Sequence, residues 1–118
     1  MLYTNLHHIE SAPQLEKVLR ENDNVMIICG RMGSMSIPVY RIASSLEPEY
    51  PEVKFFDMEY DNPESASICQ LALEHGVHGI PVVVYFKNGV LAHITAGMQS
   101  GEEIRKQLEN YFGITVNA

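Results

Sequence analysis

A short, continuously apolar run in the first third of the chain sets the first constraint on the fold. Residues 25–29 read Val-Met-Ile-Ile-Cys, and Gly30 ends the run. A run of five residues is shorter than a typical buried helix, and the lack of any alternation between apolar and polar positions is typical of a strand that is buried on both faces. Such strands occur inside sheets that carry helices on both sides. The run therefore predicts an α/β protein.

Turn and capping signals divide the rest of the chain into alternating strands and helices. Helices are indicated where a capping residue precedes an amphipathic segment, and strands where β-branched and aromatic residues cluster. Asn88-Gly89 between two apolar runs predicts a final hairpin. The order β-α-β-α-β-α-β-β-α predicts a single domain over residues 1–118, with one mixed sheet and helices on both faces. The predicted strands are near 2–7, 25–29, 53–58, 82–86 and 90–94, and the predicted helices open near Ser11, Ile37, Asn62 and Ser100.

Composition excludes several classes of function. The chain has 118 residues, 46% of them apolar, which suffices for one core, and its net charge of -7 without a basic cluster argues against nucleic-acid binding. No apolar run approaches the roughly 20 residues of a membrane helix, and the N-terminus does not resemble a secretion signal. Two cysteines cannot build a disulfide scaffold or a four-cysteine metal site, and the five histidines show no ligand spacing. We expect a cytoplasmic protein that binds no membrane, metal or cofactor.

Several segments of the second half carry a resemblance to a known family. Gly79-Ile80-Pro81 precedes the predicted hairpin, Phe-Lys-Asn-Gly over residues 86–89 forms its turn, and Gly97 and a capped helix follow. In this order and spacing they resemble the thioredoxin family. The resemblance covers essentially the whole chain and is strongest over residues 62–112. It implies a thioredoxin-like fold and a cis peptide bond before Pro81, next to the reactive cysteine.

The segment after the apolar strand departs from the usual family motif. Ordinary thioredoxins have Trp-Cys-Gly-Pro-Cys here, whereas residues 29–36 read Cys-Gly-Arg-Met-Gly-Ser-Met-Ser. In one register, Met32 replaces the second cysteine of a four-residue box. In the other, which matches more consecutive residues, the segment is similar to the Cys-Gly-Arg-Met-Gly-Pro-Met-Cys of atypical thioredoxin-like proteins, and Ser36 replaces the second cysteine. That serine is either natural or a substitution introduced to trap a mixed disulfide. The acidic residue usual in the central strand is missing as well.

The resemblance assigns roles to residues of this segment. Cys29 is the expected nucleophile, and we expect the amides of the helix that begins near Ser36, together with the charge of Arg31, to stabilise its thiolate. A hydroxyl forms no disulfide, so a mixed disulfide at Cys29 should persist. We expect Cys69 to pack in the core, with a Cys29–Cys69 disulfide as the alternative. The residues that the resemblance implies for substrate binding are Gly30, Arg31, Met32, Met35, Ile80, Pro81 and Gly97.

These observations predict a monomeric thiol–disulfide oxidoreductase that reduces protein disulfides. The resemblance implies a flavin-dependent thioredoxin reductase as the electron donor. Two alternatives stay open: a redox-inactive adaptor that binds proteins through the Ile80-Pro81 surface, and a monothiol glutaredoxin-like enzyme that uses glutathione. Only the two enzymes need a cysteine with a lowered pKa.

Overall fold

The computed structural model describes residues 2–114 of the chain. Its regular elements follow the predicted order of alternating strands and helices. The strands are β1 (His7–His8), β2 (Asn24–Gly30), β3 (Lys54–Glu59), β4 (Val82–Lys87) and β5 (Val90–Ala96). The helices are α1 (Ala12–Glu21), α2 (Ile37–Leu46), α3 (Ala66–Glu74) and α4 (Gly101–Phe112), with single 3₁₀ turns at Glu47–Glu49 and Pro63–Ser65. Within the described residues, no helix is long and apolar enough to cross a membrane.

The five strands form one mixed sheet in the order β1-β3-β2-β4-β5. β2 lies at the centre, parallel to β3 and antiparallel to β4, and β4 and β5 form the antiparallel hairpin. The α/β prediction is therefore confirmed. At the end of β2, Cys29 stands in register with Met58 of β3 and with Val82 of β4.

Side chains of β2 alternate between two separate halves of the core. Met26 and Ile28 belong to the half covered by α2 and α4. Val25, Ile27 and Cys29 belong to the half covered by α1 and α3. Because successive residues of a strand point to opposite faces, the position of a residue in β2 decides which helices it meets.

Local sequence signals account for most element boundaries. The Ser100 hydroxyl accepts from the Glu103 amide and the Glu103 carboxylate accepts from the Ser100 amide, each at 3.1 Å, which is the predicted capping box. The hairpin turn has positive φ at Asn88 and Gly89, as a two-residue turn between twisted strands requires.

One boundary prediction was wrong and another was correct only in part. The first strand, predicted near 2–7, spans only His7–His8, because β1 pairs with β3 at those two residues alone. Asn62 caps a helical segment as predicted, but its first turn, Pro63–Ser65, is a 3₁₀ turn and α3 starts at Ala66.

Candidate active site

Cys29, the predicted nucleophile, is completely buried. Its exposed fraction is 0%, and it packs among the apolar residues on the α1/α3 side of the sheet. Burial first and the neighbouring Cys69 second raise the pKa of the Cys29 thiol to about 12. The expectation of a lowered pKa at Cys29 is therefore wrong for this arrangement.

The groups that were expected to stabilise the thiolate are occupied elsewhere. The Ser36 and Ile37 amides both donate to the Gly33 carbonyl, at 3.1 and 3.0 Å. The Arg31 guanidinium donates two hydrogen bonds of 2.8 Å to Asp61 and lies over the Tyr60 ring. Neither the helix start nor Arg31 offsets the cost of charging a buried thiol.

Ser36 lies on the other side of the sheet from the Cys29 side chain. It is fully buried, its hydroxyl accepts from the Arg31 amide at 3.3 Å, and it flanks Gly30 together with Tyr40, a residue of the α2/α4 half of the core. A side chain at position 30 would point at Ser36, since a Cβ on Gly30 would lie 2.7 Å from the Ser36 hydroxyl. The structure therefore does not bring Cys29 and Ser36 together as a reactive pair.

Cys69 is the residue that does meet Cys29. After burial, the groups that act on the pKa of the Cys29 thiol include Cys69, which raises it, and Ser65, which lowers it. The Ser65 hydroxyl itself donates to the Glu59 carbonyl at 2.8 Å. Both cysteines are free, Cys29 buried and Cys69 half-buried. The expectation that Cys69 packs in the core is wrong: Cys69 lies in α3 as predicted, but it is half-buried and belongs to neither half of the core.

The residues expected to bind substrate differ in exposure and lie in two segments, the loop after β2 and the segment around Pro81 and Gly97. The Ile80–Pro81 peptide bond is cis, and the Gly97 amide donates to the Pro81 carbonyl at 3.0 Å, so these segments adjoin. Met32 and Met35 expose 41% and 45% of their surface. Arg31 is exposed and Ile80 half-buried, whereas Gly30 is buried beneath Ser36 and Tyr40 and offers no surface.

Comparison with known proteins identifies the architecture. No family model and no curated protein matches the sequence. Among solved structures, a mutant thioredoxin from Halobacterium salinarum is 18% identical, covers 98% of this chain and 99% of its own, and superposes with a TM-score of 0.72. Thioredoxin from Trypanosoma brucei brucei is 16% identical over 96% of both chains, with a TM-score of 0.73. Mitochondrial thioredoxin 3 from Saccharomyces cerevisiae is 18% identical, with coverages of 89% and 94% and a TM-score of 0.72.

The chain has the thioredoxin fold. The resemblance predicted from the sequence is thus confirmed at the level of architecture. At these identities the likeness concerns the fold alone, so the chemistry has to be argued from the residues present.

One buried acid within this thioredoxin fold was missed by sequence analysis. Asp57 of β3 has an exposed fraction of 0%; its carboxylate accepts a hydrogen bond from the Thr4 hydroxyl and lies 2.6 Å from His8 Nδ1. Burial raises the pKa of Asp57, although both hydrogen bonds act in the opposite direction. A charged residue between the apolar Phe56 and Met58 of a predicted strand was the available signal.

Asp57 does not serve Cys29 directly. It stands in register with Ile28, so its side chain points to the α2/α4 side, where burial first and the charge of Asp57 second raise the pKa of Tyr40. The site therefore has two parts: a thiol pair on one face of the sheet, and a polar group of Ser36, Tyr40 and Asp57 on the other.

Proposed function

We propose that this chain is a thiol–disulfide oxidoreductase that acts on protein disulfides, with Cys29 as one exchanging thiol. The proposal rests on one observation. Cys29 is the penultimate residue of the central strand of a thioredoxin fold and stands in register with Val82, the residue directly after Pro81. One end of the sheet thus carries the Cys29 thiol, the following loop with its exposed methionines, and the Pro81 segment. α/β proteins place their binding and catalytic sites at such an end.

Burial of Cys29 sets a condition on this chemistry. With a pKa of about 12, only ~1 thiol in 10⁵ is ionised at neutral pH, and the thiolate is the reactive form. Cys29 therefore does not start an exchange in this arrangement. A second thiol, or an opening of the loop over residues 31–36, has to bring it into reaction.

Substrate contact is assigned to the exposed part of the same end of the sheet. Met32 and Met35 offer exposed, flexible apolar side chains that adapt to differing protein surfaces, and Gly97 adjoins Pro81 through a backbone hydrogen bond. In this proposal the electrons come from a flavin-dependent thioredoxin reductase, and the protein acts as a monomer in the reducing cytoplasm.

The proposal is tested on a protein disulfide. The reduced chain is mixed anaerobically with insulin, and the thiols released from insulin are counted over time after acid quenching. We expect release by the natural chain and loss of at least 90% of the initial rate in Cys29→Ser. Equal rates in the two proteins would refute the assignment of Cys29.

A second function is favoured by the same burial. A thioredoxin-fold module that binds proteins without redox chemistry needs the exposed methionines but no reactive thiol. In that case Cys29→Ser retains full affinity for bound proteins, whereas Met32→Ala and Met35→Ala weaken it. An oxidoreductase instead loses covalent capture of its substrate in Cys29→Ser.

A further inference from the structure

Cys29 and Cys69 meet between β2 and α3, and several independent contacts place them there. Ser65 and Cys69 are four residues apart at the start of α3, hence on one face of the helix, and after burial both act on the pKa of the Cys29 thiol. Val82, the register partner of Cys29, also lines a cavity together with Cys69. The Cys69 sulfur lies 4.0 Å from the Tyr60 carbonyl, and the Tyr60 amide donates to the Gly30 carbonyl, next to Cys29.

The two thiols differ in access. Cys29 is fully buried, whereas Cys69 is half-buried and forms part of the wall of a cavity of about 170 Å³. The other lining residues are Tyr60, Ala72, Leu73, Val77, His78, Gly79 and Val82. This volume is below the ~300 Å³ of a typical small-molecule pocket, so it accommodates one arm of a small disulfide.

We propose that Cys69 and Cys29 form a redox-active dithiol, in which Cys69 attacks a low-molecular-weight disulfide and Cys29 resolves the product. The inference rests on the proposed function, because it names the second thiol that Cys29 requires. Cys69 contacts the Tyr60 carbonyl and lines a cavity with Val82, the register partner of Cys29, so only the packing of α3 on β2 separates the two sulfurs from the ~2.05 Å of a disulfide bond. The order of the two steps follows from access, because Cys69 is half-buried and Cys29 is fully buried.

The chemistry balances as two successive exchanges. Cys69 releases its proton to water, and its thiolate attacks one sulfur of the disulfide; a Cys69–substrate bond forms, and the other half leaves and takes up a proton. Cys29 then attacks the Cys69 sulfur, its proton passes to the departing thiolate, and the Cys69–substrate bond breaks. The two protein thiols are oxidised to one disulfide, and the substrate disulfide is reduced to two thiols.

The test uses bis(2-hydroxyethyl) disulfide as the probe on the reduced full chain. After anaerobic incubation and acid quenching, free thiols are alkylated and the protein is mapped by mass spectrometry. We expect a Cys29–Cys69 linked peptide in the natural chain, and a stable adduct on Cys69 in both Cys29→Ser and Cys29→Ala. In Cys69→Ser, Cys29 should react at least 100-fold more slowly than Cys69 does in the natural chain.

Ser67→Ala, an exposed position on the same helix, is the matched control and should form the link at the natural rate. Absence of the linked peptide, or a first adduct on Cys29, would overturn the inference. Failure of the proposed function is distinguishable from failure of this inference. A chain that forms the link but leaves insulin intact refutes only the function, and a Cys69→Ser variant that reduces insulin at the natural rate refutes only the inference.

Discussion

Gly30→Ala should destabilise the protein, because the space beside Gly30 is filled. A Cβ at this position would lie 2.6 Å from the Tyr40 hydroxyl, 2.7 Å from the Ser36 hydroxyl and 3.0 Å from the Ser36 Cβ. Neither neighbour moves away easily, since Ser36 and Tyr40 are both buried and the Tyr40 hydroxyl donates to the Arg31 carbonyl at 3.1 Å. Overpacking of this kind costs about 1–3 kcal/mol of unfolding free energy. For a chain of this size we expect a fall in Tm of roughly 4–12 °C.

Gly33→Ala is the matched control from the same loop. Nothing lies within 4 Å of a Cβ there, and its backbone is not left-handed. Alanine has fewer backbone conformations than glycine in the unfolded chain, so the free energy of unfolding of Gly33→Ala should be unchanged or up to ~1 kcal/mol higher. Both variants are measured by urea unfolding followed by far-UV circular dichroism.

A double-mutant cycle identifies the cause of the Gly30→Ala effect. Tyr40→Phe removes the atom nearest to the new methyl group, so Gly30→Ala should cost about 1 kcal/mol less in that background. Equal stabilities of Gly30→Ala and Gly33→Ala, or a cycle with no coupling, would refute the packing explanation.

Three further predictions concern reactivity, charge and capping. In the folded chain, Cys29 should react with iodoacetamide about 10³-fold more slowly than a thiol with the ordinary pKa of 9.0. Peptide mapping at pH 8 measures the rate, and a rate within tenfold of that ordinary thiol would contradict the burial of Cys29. Burial raises the pKa of Asp57 in the folded protein, so the charged carboxylate lowers the free energy of unfolding once the pH exceeds 3.8, the pKa of Asp57 in the unfolded chain. Asp57→Asn should therefore be more stable than the unsubstituted chain at pH 7, and urea titrations should show this gain vanish toward pH 3.8. Ser100→Ala breaks the capping box and should cost about 1 kcal/mol, whereas Ser67→Ala should cost less than ~0.5 kcal/mol.

Most of the fold was predictable because its signals are local. The capping box at Ser100 and the Asn88-Gly89 turn depend on residues a few positions apart, and each forms as the sequence indicates. The failures occur where a boundary depends on distant partners. β1 is short because it pairs with β3, some fifty residues away in the chain. No local pattern reports how many residues of an edge strand find a partner.

The candidate site was less predictable, since its parts lie far apart in sequence. Cys69 was recognisable as a helix residue, but its contact with Cys29 spans forty residues and depends on how α3 packs on the sheet. The buried Asp57 was visible as a charge in an apolar strand, yet its partners His8 and Thr4 come from the N-terminal segment. The low pKa expected for Cys29 failed for the same reason, because burial is set by tertiary packing.

The position of one residue along β2 decides which chemistry this thioredoxin fold supports. Position 30 points to Ser36 and the α2/α4 side, as the short Cβ distances at Gly30 demonstrate. A dithiol spanning the loop would therefore need its first sulfur at position 30 and its second at position 36. This chain carries its sulfur at position 29, where strand alternation turns it to the opposite face and toward Cys69. A cysteine at position 36 alone would consequently not restore a loop dithiol with Cys29 in this arrangement, whereas removal of Cys69 should eliminate the only thiol that contacts Cys29 among residues 2–114.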